Sequence, residues 1–362
     1  VGIDAPQSRP LPAPGFPAAA AGDAGAMTQL APESAHALLL AQAPRALAYH
    51  PQRERGAWTA ALAQALAGCL GREPERVPLD PQWEAEEPCP GGTLRRFTIA
   101  VEPGQRACGW LARPAGGGRP PVALCLQGHS TGAHISIGRP LYAGDDELIA
   151  GDRDFALQAL RQGFAALALE QRAFGARADR RPGRRANGGC VHPAMVALLL
   201  GRSMARERAW DVSRAIDLLH GCDGLDLARI ACLGNSGGGT VTWYAAAVEP
   251  RIAALMPSCS VCPYGLSIGS LDHCPDNYLP GALLHFDLPD LAGLIAPRPC
   301  VVVAGRRDEI FPYPAVAEGF ERIAAIYAHA GAAGRCRLVT GEGGHRFYAA
   351  QAWAALRELT GW

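Results

Sequence analysis

The chain has 362 residues, 49% of them hydrophobic and 19% charged, which is enough to bury a sizeable core in one large domain or two small ones. Lys+Arg 34 balance Asp+Glu 34, so no net charge draws the chain toward nucleic acid or an anionic membrane. Every basic residue is an arginine, and the absence of lysine excludes Schiff-base enzymes, P-loop nucleotide hydrolysis and Ser-Lys dyads.

Residues 1–30 are rich in Pro, Gly and Ala and are expected to be disordered or an added extension, with Met27 a candidate natural start. They lack the charged start and apolar core of a signal peptide. Ala31–Ala43 and Ala57–Leu70 read as helices, the second with Trp58, Leu62, Leu66 and Leu70 at helical spacing. Pro74–Gly92 reads as a Pro- and Glu-rich linker, so 31–92 form a helical extension and linker. Phe97–Val101 and Cys108–Arg113 then suit a hairpin, and Pro121–Gln127 a buried strand. A helix over Asp152–Gln162, a strand over Phe164–Glu170 and one long helix over Pro193–His220 follow.

After Arg229–Leu233 and the next helix, strands are expected at Ile252–Pro257, Cys300–Ala304 and Arg335–Thr340. Helices are expected over Tyr313–Ala330 and Phe347–Leu359. Continuous apolar strands alternating with helices define an α/β fold, a mostly parallel sheet covered on both faces. Ligands in such sheets bind at the carboxyl ends of the strands.

The chemistry centres on Gly234-Asn235-Ser236-Gly237-Gly238-Gly239. It stands between an apolar strand, Arg229–Leu233, and a helix beginning near Thr240, the setting of a G-x-S-x-G nucleophile elbow. The tight turn lifts the Ser236 hydroxyl off the sheet edge. It also aims the Gly237 N–H at an oxyanion.

A serine hydroxyl needs a base, and the base needs an orienting acid. Asp308 follows the strand CVVVA in GRRDE, with Glu309 a rival for the acid role. His345 follows the last strand in GEGGH. Both positions fall on the same carboxyl edge as Ser236. The loop Gln127-Gly128-His129-Ser130-Thr131-Gly132 follows the strand at 121–127. Its Gly128 admits close backbone approach, and the His129 N–H would complete the oxyanion hole with Gly237. The His129 ring is an alternative base.

Taken together, LQGHSTG, LEQRAFG, GNSGGG, DNYLPG, FDLPDLAGLIAPRP, GRRDEIFP and GGHRFY resemble α/β-hydrolases of the dienelactone-hydrolase and acetyl-xylan-esterase-like group, from about Arg95 to the end. The resemblance implies an α/β-hydrolase domain over 93–362 with a lid-like insertion near 259–297. It implies Ser236 as nucleophile, Asp308 as acid and His345 as base, with Gly237 and His129 forming the oxyanion hole. The oxyanion loop opens Gln127-Gly128 where relatives often carry His-Gly. Dienelactone hydrolases use a cysteine nucleophile, so Ser236 argues against that activity.

Several features remain beside this constellation. Cys259-x-x-Cys262 with His273-Cys274 has the residue types of a zinc site, but free thiols near the pocket are the simpler reading, and no metal is expected. Arg172, Arg177, Arg180, Arg181, Arg184 and Arg185 crowd one loop, a solvated surface by default. Arg172, and Glu170 beside it, sit nearest a strand end and are the candidate substrate-binding residues. Trp243 and Tyr244 suit the core.

The expected function is a cytoplasmic serine hydrolase that cleaves a carboxylic ester through an acyl-enzyme and needs no cofactor. A peptidase or amidase with the same triad, and a silent binding module on a hydrolase scaffold, are the alternatives. The expected partner is a small-molecule ester, with no nucleic acid or membrane; homo-oligomerisation is left open.

Overall fold

Apolar side chains alternate along β4 (Pro121–Leu126), and that alternation divides the interior in two. Val122, Leu124 and Leu126 enter one buried cluster, whereas Ala123 and Cys125 enter another on the opposite face of the sheet. The computed structural model describes residues 32–179 and 189–362. They fall into two units, Val1–Ala43 and Pro44–Trp362. Of the first, the described part holds helix α1 (Pro32–Ala41), which buries none of its side chains. The disorder expected for 1–30 lies outside the described residues, as do Arg180, Arg181, Arg184 and Arg185.

The second unit opens with α2 (Arg55–Leu70), capped by the Glu54 carboxylate, which accepts from the Gly56 and Ala57 N–H groups. Its buried stripe is Trp58, Leu62, Leu66 and Leu70, as the spacing predicts. That stripe belongs to the larger core cluster, so α2 is part of the main body.

The stretch expected as a linker contains a strand, β1 (Gln82–Cys89). It pairs antiparallel with β2 (Gly92–Glu102), which pairs in turn with β3 (Gln105–Pro114). Trp83 supplies the one large apolar anchor of β1, 5.7 Å from the Phe97 ring, with the Arg95 guanidinium over its own ring at 5.0 Å. The glutamates beside it are exposed or half-buried, as suits an edge strand, and they hid its period from a reading of the sequence.

After β4 come α3 (Phe155–Arg161), β5 (Ala165–Leu169), α4 (Val191–Leu199) and α5 (Met204–His220). One long helix was expected over Pro193–His220. The chain instead breaks at Gly201, whose φ of 71° leaves the helical region, and restarts where the Ser203 hydroxyl caps α5 by accepting from the Arg206 N–H. β6 (Asp226–Asn235) leads into α6 (Gly237–Val248), followed by β7 (Ala254–Ser258) and β8 (Cys300–Gly305). Then come α7 (Tyr313–His329), β9 (Cys336–Gly341) and α8 (Ala349–Thr360).

The sheet order is β1-β2-β3-β5-β4-β6-β7-β8-β9. Pairings from β5 through β9 are parallel and the first three are antiparallel. Trp243, Tyr244 and Tyr327 fill the core on one face, and Phe155, Phe164, Phe347 and Trp353 fill it on the other. The segment between β7 and β8 buries Phe286, Leu288, Leu291 and Ile295, and the Leu288 carbonyl accepts from the indole of Trp243 on α6. Among the described residues, no helix is long and apolar enough to cross a membrane.

Candidate active site

Ser236 stands between β6 and α6 with φ 58° and ψ −127°, a conformation that L-residues avoid. Close packing holds it there. A Cβ on Gly238 would run into the Leu126 carbonyl, so only glycine lets β4 lie against the turn. The Ser236 N–H donates to the Ser258 carbonyl at 2.9 Å, and its own carbonyl accepts the first helical bond of α6 from Thr240. Gly237 begins α6, where backbone N–H groups have no partner within the helix and point toward incoming negative charge.

The loop after β4, where the second oxyanion donor is expected, comes up against the same turn. A Cβ on Gly128 would lie 2.5 Å from the Asn235 carbonyl oxygen, 2.9 Å from the Ser236 Cβ and 3.2 Å from the Gly237 nitrogen. Gly128→Ala should therefore push the loop off Ser236. We expect kcat to fall by about 100-fold, the effect of losing one oxyanion donor, with the fold retained. Steady-state kinetics on p-nitrophenyl acetate beside a thermal melt would check this; unchanged kcat would show that the loop's close approach has no catalytic part.

Two strand ends bring Asp308 and His345 together. β8 and β9 pair through Gly305 and Gly341, and beyond them the Arg306 N–H donates to Gly341 and the Arg307 N–H to Gly343. The two loops thus run on as a pair. His345 Nδ1 lies 2.9 Å from Asp308 Oδ2 and 3.1 Å from Oδ1. Asp308 Oδ1 also accepts from the Ile310 and Phe311 N–H groups. Burial works to raise the Asp308 pKa, but the hydrogen bond to His345 and the Phe311 N–H outweigh it and hold the carboxyl below its ordinary range. The His345 ring stacks on Phe311 at 6.1 Å, and its Nε2 is buried without a hydrogen-bond partner among the described residues. Glu309, the rival acid, is exposed.

Cys259 sits beside this pair, its sulfur within 4.8 Å of the donor atoms of Asp308 and His345. Burial pushes its thiol far above the ordinary range, so it stands there neutral. Nothing in the sequence spacing ties Cys259 to the acid and base; its φ of 48° directly after β7 puts it there. The suspected metal grouping of Cys259, Cys262, His273 and Cys274 divides. Cys259 faces Asp308, whereas Cys274 lies against Cys190 and His129.

The His129 side chain turns away from a base role. Its Nε2 lies 3.3 Å from an Asp276 oxygen, and its ring packs 4.7 Å from that of Phe174. Burial alone would lower its pKa, but Asp276 and Cys274 raise it to about 9.

The two candidate substrate-binding residues have other employment. Glu170 is buried, and its carboxylate accepts from the Ala133 and Ala176 N–H groups, tying the oxyanion loop to the loop after β5. It also borders a cavity of about 530 Å³ whose lining includes Thr131, His134 and Trp110 but no member of the Ser236, Asp308, His345 set.

Arg172 is 8% exposed and saturated by acids. Asp211 takes Nε and Nη2 at 3.0 and 2.7 Å, while Glu102 and Glu207 take Nη1. All three of its nitrogens are engaged by acids inside the fold, which leaves it poorly placed to meet a ligand. Burial works to raise the Asp211 pKa, and Arg177 and Arg172 bring it below the ordinary value. Arg172→Met should destabilise the protein by about 3–5 kcal/mol at pH 7, because it strands buried carboxylates. A depressed carboxylate stabilises fully above its unfolded pKa of about 4. The wild-type advantage should therefore shrink as pH falls through that value and below it. Urea titrations at pH 7 and pH 3 test both statements.

A sheet of this order, with a serine elbow after β6, an acid after β8 and a histidine after β9, defines the α/β-hydrolase fold. No protein-family model matches the chain. A Bacillus subtilis (strain 168) protein named "Putative hydrolase YtaP" is 28% identical over 297 residues, 81% of this chain and 96% of its own. A solved structure described as a "putative acetyl xylan esterase" from Bacteroides fragilis NCTC 9343 has a TM-score of 0.69 at 17% identity, covering 86% of this chain and 83% of that one. The glucuronoyl esterase from Solibacter usitatus has a TM-score of 0.62 at 18% identity, covering 85% and 91%.

Proposed function

We propose that the protein is a serine hydrolase that cleaves a carboxylic ester through an acyl-enzyme. The observation that carries this reading is the partly buried Asp308–His345 pair, with Nδ1 held by the carboxylate and Nε2 making no hydrogen bond, to Ser236 or to any other described residue, on the sheet edge that Ser236 shares. His345 takes the Ser236 proton as the hydroxyl attacks the ester carbonyl. The Gly237 and His129 N–H groups receive the charge that develops on the carbonyl oxygen. His345 then protonates the departing alcohol, and water drawn in by the same base hydrolyses the acyl-enzyme. Asp308 remains ionised throughout and stabilises the imidazolium.

Fold neighbours named as acetyl xylan and glucuronoyl esterases support carbohydrate esters as the first substrates to try. The test is a fluorophosphonate probe combined with a panel of p-nitrophenyl acyl esters, acetylated sugars, uronate esters and peptides. Labelling of Ser236 with turnover of at least one ester is expected. Labelling with turnover of peptides alone would make the protein a peptidase, and absence of labelling would leave a binding module.

A further inference from the structure

Four side chains from three parts of the fold meet on the oxyanion-loop side of the site. They are His129 from that loop, Cys190 at the start of α4, and Cys274 and Asp276 from the segment between β7 and β8. No spacing motif joins them. Cys190 Sγ lies 2.9 Å from Cys274 Sγ and 3.3 Å from His129 Nε2, and His129 Nε2 lies 3.3 Å from an Asp276 oxygen. One donor atom from each of the four lies within 4.8 Å of the others.

We propose that these four residues form a zinc site. Two thiolates, an imidazole nitrogen and a carboxylate oxygen suit the borderline-soft zinc ion. Zinc bonds of about 2.0–2.3 Å in a tetrahedron place neighbouring donor atoms roughly 3.3–3.8 Å apart. The cluster reaches that geometry by shifts of less than about 1 Å per atom. Asp276 is 3% exposed, and its Oδ1 is buried with no hydrogen-bond partner among the described residues. Arg208 Nη1 holds Oδ2, the same oxygen that lies 3.3 Å from His129 Nε2, at 2.8 Å, so the carboxylate is anchored at the cluster through Oδ2 while Oδ1 has no partner among the described residues. The charges also balance. Two thiolates and a carboxylate carry three negative charges, which a divalent ion and the Arg208 guanidinium cancel, and a buried cluster is stable only when so compensated. The exposed flank of His129 gives access from solvent.

On binding, the thiol protons of Cys190 and Cys274 pass to solvent, and His129 binds as the neutral imidazole. The ion bonds side chains and takes no part in the ester chemistry. Ligation at Nε2 fixes the His129 ring, and with it the backbone N–H assigned to the oxyanion hole; that last consequence rests on the proposed esterase reading. This departs from the expectation that no metal binds, and it leaves Cys259 and Cys262 out of the site.

The test is metal stoichiometry, read separately from turnover. Protein purified without chelator should contain one zinc per chain by mass spectrometry of the elements. The stripped, reduced protein titrated with cobalt(II) should develop a thiolate-to-cobalt charge-transfer band in the near ultraviolet with tetrahedral visible bands. Cys190→Ser/Cys274→Ser should raise the cobalt Kd at least about 100-fold while circular dichroism stays native, and a remote Cys222→Ser control should bind as wild type. A double variant with the wild-type cobalt spectrum overturns the proposal. So does a Cys190–Cys274 disulfide that, once reduced, takes up no metal. One zinc in a protein inactive on esters would uphold the site and refute the esterase reading; ester turnover with no metal uptake would do the opposite.

Discussion

Ser236→Ala should lower kcat on the best ester by on the order of a million-fold, the loss observed when a hydrolase triad gives up its nucleophile. The substitution removes one oxygen from a turn whose shape is set by its neighbours. Backbone bonds from Ser236 to Ser258 and from Thr240 to Ser236 do not use the hydroxyl. The melting temperature should therefore stay near that of the wild type, and the loss should fall on chemistry. Fluorophosphonate labelling should vanish with it. His345→Ala should cost about as much, and the double variant no more than either single one, because the pair acts as one unit. Purified Ser236→Ala with near-wild-type turnover would remove the nucleophile from the proposal, and additive losses would separate the two residues' roles.

Much of this site was legible before any coordinates. Glycines around Ser236 and the carboxyl ends of two late strands mark three points on one edge, because strand order and connection rules leave few other ways to wind such a sheet. In the structure Asp308 and His345, far apart in the chain, face each other through paired loops. β1 was not legible, because Trp83 stands alone among glutamates and gives no alternating period. The break between α4 and α5 had a signal in Gly201 and Ser203, but helical spacing on both sides outweighed it. Arg172 and Glu170 illustrate a different limit. Position at a strand end says where a residue is, but not whether its charge is already taken. The partners of Arg172, namely Glu102, Glu207 and Asp211, lie on other elements, and sequence spacing carries no trace of such a network. The same holds for His129, Cys190, Cys274 and Asp276.

Asp308→Asn should lower kcat by about 10⁴-fold while leaving the loop in place, and the geometry says why. In the wild type, Oδ1 accepts from two backbone N–H groups, those of Ile310 and Phe311. Oδ2 faces His345 Nδ1 at 2.9 Å. A carboxylate only accepts, so it fixes the proton on Nδ1 and leaves the Nε2 lone pair for the serine. An amide in the same pocket has one oxygen, and the two backbone donors fix it at the Oδ1 position. Its NH2 group then faces Nδ1 and donates. The imidazole must accept there and carry its own proton on Nε2, the nitrogen proposed to remove a proton from Ser236. The ring is still present but in the tautomer that could not serve the proposed role. Nitrogen NMR of the histidine ring should show that exchange of protonation, and kcat should show its cost. Glu309→Gln, one residue along and exposed, should change neither. An Asn variant within tenfold of wild-type turnover would mean that the His345 tautomer is set by something other than Asp308.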